Sequence, residues 1–372
     1  MEKNNIIKPP VEIYYEKELK ALAKNDKGLK PENWKLSPKA VRSFILGLVE
    51  PLEYKNEKVV ITKKFYGDDN LVERSIITLA GNRGLMLVGE PGTAKTMLSE
   101  LLSVAISGIS TNTIQGTAGV TEDSIKYSWN YPSLLAKGPV NESLVPAPLY
   151  VGMKKGIITR FEEITRCPLE VQDILISILS DKVLNIPEFG EEGFIFAKPG
   201  FNIIATANTR DKGVNEMSSA LKRRFNFETV QPIKDVSLEA KIIEQEASKI
   251  LENANVEMKV DRDALKILAS TFYELREGIT EEGHRVDKPS SVMSTAEAVS
   301  VYCQTAMHAY YYEDSNISMD TMVQNLMGAV FKENKDDLQK VKNYFNTIIK
   351  RRALEKEDSI WERYYQGKKW IR

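Results

Sequence analysis

The sequence predicts an α/β fold, a three-layer sandwich around a parallel sheet, followed by an all-α region. Three observations lead there. The stretch GEPGTAKT, residues 89–96, stands between a short apolar run and a segment of helical spacing. Two further apolar runs, GIITRFEEI at 156–164 and FNIIATANTR at 201–210, end in polar residues as strands do at a functional edge. From Asp235 onward the periodic stretches are helical, over 235–252, 261–277, 291–312, 319–331 and 336–354. Strands alternating with helices imply a parallel sheet covered on both faces.

At 372 residues the chain is too long for one ordinary core, which implies two or three domains. Its 51 basic residues balance 52 acidic ones, so no global field favours DNA or an anionic membrane. No apolar run approaches the ~18 residues that span a bilayer. The first residues, MEKNNIIKPPVE, contain no apolar segment of the kind a secretory signal carries, so a cytoplasmic protein is expected. Cys167 and Cys303 are too few for a disulfide framework or a metal cluster, and His284 and His308 stand alone.

Taken in order, the first fifty residues hold helical stretches over 12–24 and 38–49, separated by Gly28 and Pro31. Residues 58–65 alternate as a short strand, and 71–80 are helical. Leu85, Met86, Leu87 and Val88 form an apolar run suited to a strand buried on both faces. The loop that follows matches the phosphate-binding pattern G-x-x-x-x-G-K-[ST] at Gly89, Lys95 and Thr96, with Ala94 in place of the second glycine. Such a loop turns backbone N–H groups toward a phosphate and leads into a helix whose N-terminus favours anions. Lys95 would reach the β- and γ-phosphates, and Thr96 would place its hydroxyl on Mg²⁺. Ala94 is expected at the start of the helix, where alanine is the best helix former. In that geometry the substitution gains a few tenths of a kcal/mol; where glycine's positive φ is needed it loses roughly 1 kcal/mol or more. Residues 96–109 continue with helical spacing.

The second apolar stretch ends in two acids. In nucleotide hydrolases the first acid at such a strand end holds Mg²⁺, usually through water, and in one large class the second polarises the attacking water. Glu162 and Glu163 take those places in that order, on opposite sides of the strand. Glu162 stands where aspartate is usual, and Thr159 and Arg160 interrupt a strand that should be buried. The third stretch ends at Asn208, whose side chain can bond the attacking water or the γ-phosphate. Sixteen residues later ALKRRF supplies Arg223 and Arg224, able to neutralise developing charge.

Together these motifs resemble the AAA+ ATPases and, within them, the MoxR branch, which includes RavA-type and gas-vesicle or nitric-oxide-reductase accessory ATPases. GEPGTAKT, alanine included, is similar to the branch's phosphate loop. TRFEEITRCPLEVQDILISIL is similar to its acid strand and helix. KVLNIPEFGEEGFIFAKPGFNIIATAN is similar to its β-hairpin and sensor strand, and SSALKRRF to its arginine-finger segment. The resemblance covers roughly residues 55–310.

The resemblance implies ATP and Mg²⁺ as cofactors. Nucleotide would be held by Gly89, Glu90, Pro91, Gly92, Thr93, Ala94, Lys95 and Thr96, metal by Thr96 and Glu162. Glu163 and Asn208 would act on the water, and Arg224, with Arg223 as second choice, on a neighbouring subunit's nucleotide. It further implies four segments: helical 1–54, a nucleotide-binding domain over 55–232, a helical lid over 233–331 and a helical extension over 332–372. Partners would be further copies in a ring, a hexamer, a von Willebrand factor A domain protein and a protein target, without nucleic acid or membrane insertion. The family's second-sensor arginine has no match after Pro289, and Arg285 and Lys288 are the nearest cations. Residues 114–155 carry Tyr127, Trp129, Tyr131 and Tyr150, aromatics that either meet a partner or pack the loop onto its own domain. Rival readings are a metal-chelatase motor subunit, a restriction-type NTPase acting on nucleic acid, and a nucleotide-gated scaffold with little turnover.

Overall fold

A computed structural model describes residues 6–208, 215–330, 334–355 and 359–371. Thr209 and Arg210 of the third apolar stretch, and the expected boundary at 331/332, lie outside the described residues. The chain divides into two compact units. One comprises Met1–Gly89 and Ala94–Gln231; the other comprises Pro232–Arg372 with the loop residues Glu90–Thr93.

The first unit begins with α1 (Val11–Tyr14) and α2 (Glu16–Asn25), separated at Tyr15, and α3 (Pro38–Leu46). Ser37 caps α3 by accepting from the Ala40 N–H, with Pro38 in the first turn. A hairpin of β1 (Leu52–Tyr54) and β2 (Glu57–Val59) turns through Lys55 and Asn56, both at positive φ, the turn whose twist suits two antiparallel strands. The strand expected over 58–65 stops at Val59. Beyond it the chain bonds to the end of α3, Leu48 N–H to Ile61 O and Lys64 N–H to Ile45 O. Ile61 and Phe65 are thereby buried without a strand partner, so the alternation reports packing and no ladder. Ala21, Leu22, Val41, Phe44 and Ile45 share one apolar cluster with Leu98, Leu102 and Ile204. α2 and α3 thus pack into the same apolar core as the sheet.

After α4 (Asp69–Ala80) comes β3 (Gly84–Gly89), then α5 (Lys95–Ser107) and β4 (Thr113–Gln115). Next are α6 (Glu122–Ile125), β5 (Tyr127–Trp129), α7 (Tyr131–Lys137), β6 (Leu144–Pro146) and α8 (Pro148–Lys155). The unit continues through β7 (Thr159–Glu162), α9 (Leu169–Ser180), β8 (Val183–Asn185), β9 (Phe194–Phe196), β10 (Ile203–Asn208), α10 (Ser219–Lys222) and β11 (Phe225–Val230). Five strands form a parallel sheet in the order β11-β3-β10-β7-β4, while β5–β6 and β8–β9 are antiparallel pairs outside it. Both faces of β3 are covered: Leu85 and Leu87 join the cluster containing α3 and α5, and Met86 joins Phe161, Ile203 and Ala205 on the other side. The aromatics of 114–155 divide. Tyr127 and Tyr150 are buried, and Tyr127 Oη and Trp129 Nε1 both donate to Glu188, at 2.9 and 3.1 Å; Tyr131 is exposed.

The second unit is helical: α11 (Val236–Asn253), α12 (Arg262–Glu277), α13 (Thr295–Tyr312), α14 (Met319–Val330), α15 (Lys335–Tyr344), α16 (Lys350–Glu355) and α17 (Ile360–Gln366). Asp235 and Asp261 cap α11 and α12, and Ser294 with Glu297 forms a reciprocal capping box on α13. A π turn, Phe345–Ile349, joins α15 to α16, so the helix expected over 336–354 is continuous but locally widened. Val341, Tyr344, Phe345, Ile349 and Tyr364 lie in one core with Ile243, Leu268 and Phe272. α15 and α17 therefore pack into the same core as α11 and α12. No helix among the described residues is long and apolar enough to cross a membrane.

A buried polar knot joins the two halves of that helical unit. Glu274, fully buried on α12, accepts from Tyr344 Oη at 2.6 Å and from Arg352 Nη2 at 2.6 Å. Arg352 also holds Glu282, at 2.8 Å, and stacks on Trp361. Burial alone would raise the Glu282 carboxyl, but hydrogen bonds led by Arg352 bring it down to about 2. Replacing one partner of a buried ion pair leaves the other charged and unpaired, at a cost of about 3–5 kcal/mol. Arg352→Met should lose stability of that order in urea unfolding followed on the helical signal; a loss below about 1 kcal/mol would show that the knot contributes nothing beyond packing.

Candidate functional site

The site is built where the parallel strands end. Gly89 closes β3, and register places Asn208 of β10 on one side of it and Val230 of β11 on the other. The loop leaves the sheet there, in the position where open parallel sheets bind ligands. Gly92 has φ +75°, and Ala94, immediately before α5, has φ +64° and ψ +23°. Alanine was expected in the helical region, where it would be favourable. It sits instead in the left-handed region that favours glycine, so the loop carries strain of order 1 kcal/mol or more at this residue. The Lys95 side chain is buried and its Nζ donates to Gly89 O at 3.1 Å, which draws the ammonium back across the loop. Thr93 Oγ1 donates to Glu90 O at 2.9 Å, closing the turn.

β7 delivers the acids. Glu162 is 4% exposed, and its two oxygens are each engaged twice. Oε2 accepts from Thr96 Oγ1 at 2.9 Å and Thr206 Oγ1 at 2.8 Å; Oε1 accepts from Ser99 Oγ at 2.6 Å and Arg160 Nη2 at 2.7 Å. The expected pair Thr96 and Glu162 is thus in direct contact. Glu163, the next residue, turns out of the strand with φ +53° and ψ +44°, a left-handed conformation for a non-glycine residue. Such outliers cost about 1–3 kcal/mol and cluster at functional sites. The Glu163 N–H bonds Thr206 Oγ1 at 2.9 Å, and its carboxylate pairs with Arg166 Nε at 3.0 Å. Thr206, adjacent on β10, therefore touches both acids.

The residues thought to interrupt the strand are instead satisfied within it. Thr159 is fully buried and bonded to Asn112 and Pro148 O, and Arg160, 4% exposed, has its guanidinium enclosed by polar partners. Ser99, Arg160 and Thr206 were not read from the sequence as site residues. The available signal was spacing, since Arg160 and Glu162 lie on one face of the strand and Thr96 and Ser99 on one face of α5.

The arginines stand apart from this assembly. The Gly84 N–H bonds Arg224 O at 3.0 Å, which fixes Arg224 at the opening end of β3, five residues from Gly89. At ~3.3 Å per residue the two edges are about 17 Å apart, beyond the reach of an arginine side chain. Arg224 donates through Nε to Ser180 Oγ at 2.9 Å and through Nη1 to Ala220 O at 2.8 Å, and Arg223 is exposed after α10. In the helical unit Arg285 and Lys288 are both exposed. Among the described residues no three His, Cys, Asp or Glu side chains converge on a possible metal position, so a metal at Thr96 and Glu162 would need further ligands from water or a bound phosphate. Hard oxygens of a hydroxyl and a carboxylate suit Mg²⁺ on those terms.

Comparison with known proteins gives two consecutive matches. Residues 84–225 match the family described as AAA domain (dynein-related subfamily), and residues 237–372 match the YehL-like AAA+ ATPase C-terminal domain. YehL of Escherichia coli (strain K12) is 45% identical over 366 residues, covering 98% of each chain. YojN of Bacillus subtilis (strain 168) is 26% identical over 216 residues, 57% of this chain and 69% of that one. Among solved structures, NtrX from Brucella abortus in complex with ATP aligns with a TM-score of 0.47 at 15% identity, over 82% of this chain and 69% of that one.

The conformation of Ala94 makes its own test. Ala94→Gly should relieve the left-handed strain and be neutral to about 1 kcal/mol stabilising, because the relief is partly offset by the freer unfolded chain. Thermal unfolding of the two proteins checks it; a destabilisation above about 1 kcal/mol would mean the residue is helical in solution.

Proposed function

Because the chain belongs to the YehL-like family of AAA+ ATPases, we propose that it binds Mg-ATP at residues 89–96 and hydrolyses it to remodel a protein target. The observation that carries this reading is the convergence, at one edge of a parallel sheet, of Lys95, Thr96, Glu162, Glu163 and Asn208. In the proposed complex the backbone of the loop and Lys95 bind the phosphates. Thr96 and Glu162 hold Mg²⁺, Glu162 through water, and the ion when bound neutralises charge on the phosphates. Glu163 polarises the attacking water and Asn208 orients it or the γ-phosphate. The positive-φ turn at Glu163 supports a division of labour, since it sends the second acid away from the buried first one.

Arg224, with Arg223 as the alternative, would serve a neighbouring subunit. Its place about 17 Å from its own loop supports a site completed in trans, within a ring proposed to be hexameric. A MoxR-type role with a von Willebrand factor A domain partner, in the cytoplasm, is the finer form of the proposal and rests on the motif resemblance.

Lys95→Ala should abolish most ATP affinity in calorimetric titration while leaving the fold intact. Glu163→Gln should bind ATP normally but turn it over at least about tenfold more slowly, as loss of a positioned base does. If Glu162→Gln stops turnover and Glu163→Gln spares it, the two roles are reversed.

Mixing separates a shared site from a self-contained one. Arg224→Ala and Glu163→Gln proteins should each be nearly inactive, a finger being worth about 10³-fold or more. In mixed rings an Arg224→Ala subunit keeps Glu163 and borrows Arg224 from its neighbour, so phosphate release should partly recover. Mixed rings confirmed by mass measurement that stay inactive would exclude the shared site.

A further inference from the structure

At the edge of the sheet that carries Glu162, Arg160 is a buried charge to which the proposed ATP chemistry gives no role. Arg160 sits in the interior strand β7, where an apolar side chain would pack without desolvating a cation. Each arm of its guanidinium has a partner: Nε donates to Ser99 Oγ at 2.9 Å, Nη1 to Ser110 O at 2.7 Å and Nη2 to Glu162 Oε1 at 2.7 Å. Glu100 Oε1 lies 3.6 Å away. Ser110 is itself held, its N–H and Oγ donating to Glu12 Oε2 at 3.1 and 2.6 Å. The plane of the guanidinium is therefore fixed from three sides, and one side fixes a carboxylate.

We propose that Arg160 is a positioning residue for Glu162, engaging Oε1 so that Oε2 is the oxygen presented beside Thr96 to a nucleotide-bound divalent cation. A glutamate has one more rotatable bond than the aspartate usual at this place, and that freedom must be removed if the carboxylate is to meet a metal in one orientation. Arg160 and Ser99 remove it by saturating Oε1, while Thr206 steadies Oε2 from the next strand. Lysine could supply the charge but not the three-way fork, because its donors radiate from one atom. The inference rests on the Mg-ATP reading of the site, and concerns which side chain makes Glu162 competent within it.

The test uses full-length protein, a fluorescent ATP analogue and a Mg²⁺ titration, with circular dichroism to verify folding. In wild type, Mg²⁺ should tighten nucleotide binding. In Arg160→Met and Arg160→Lys the Mg²⁺ concentration for half-maximal tightening should rise about tenfold, the usual size of losing a partner that orients a metal ligand. Affinity measured in EDTA should stay within about twofold, since metal-free binding uses the loop and Lys95. An unchanged Mg²⁺ requirement in the folded variants overturns the proposal, as does an equal loss of affinity in EDTA, which marks general damage. Recovery of wild-type behaviour by lysine overturns it in favour of simple charge compensation. Should both variants unfold, Glu12→Ala removes the acceptor that holds Ser110 without touching the sheet; a rise of about twofold supports the proposal and no rise overturns it. A wild type indifferent to Mg²⁺ overturns the Mg-ATP reading, and the proposal with it.

Discussion

The parallel register of β3, β10 and β7 is the constraint on which the rest depends. Parallel strands all finish at the same edge, so a loop after β3, acids after β7 and an asparagine after β10 are brought together although over a hundred residues separate the first from the last. The same register sends whatever precedes β11 to the other edge, which is why Arg224 bonds beside Gly84 while Asn208 lies beside Gly89. A slip of one residue would turn Met86 toward the face of Leu85 and Leu87 and expose both apolar layers to mismatch. Packing of the two faces thus enforces the geometry of the site.

At that edge the chain tolerates features that would be unfavourable elsewhere. Ala94 and Glu163 both adopt left-handed conformations, and Arg160 and Glu162 are charges taken out of water. Two of these are compensated locally: Glu163 by its N–H bond to Thr206, and the buried pair by hydrogen bonds that leave no oxygen of Glu162 unengaged. Thr206 is shared by the two acids and ties their relative orientation to the backbone of β10. This is pre-organisation in a physical sense, since the surrounding sheet holds side chains in an arrangement they would not keep in isolation.

The helical unit uses the same device for a different end. Glu274, Arg352 and Tyr344 unite residues seventy or more positions apart around a buried carboxylate, so removing the helix that carries Arg352 would strand a charge. In the sheet unit Glu12 and Ser110 do something similar on a smaller scale, connecting α1 to the network behind Glu162. Segments that carry no recognisable motif are in both cases integrated by buried polar contacts and a shared apolar core.

The sequence by itself determined the class of fold, the loop between β3 and α5, the acids at the end of β7, the asparagine at the end of β10 and most helices of the second unit, because these are written in contiguous stretches. Period, punctuation and motif are local properties, and the helices over 236–253 and 262–277 were legible from them to within a residue. Only the tertiary structure decided the left-handed conformation of Ala94, which depends on how the loop closes between a strand and a helix. It decided that Ile61 and Phe65 are buried beside α3 without belonging to a strand, since alternation records burial and not hydrogen bonding. It decided that Arg160 contacts Glu162, because a charged residue in an apolar run becomes intelligible only when Ser99 and Ser110, distant in sequence, are placed around it. Buried charges are matched across space, and no local pattern can state the match.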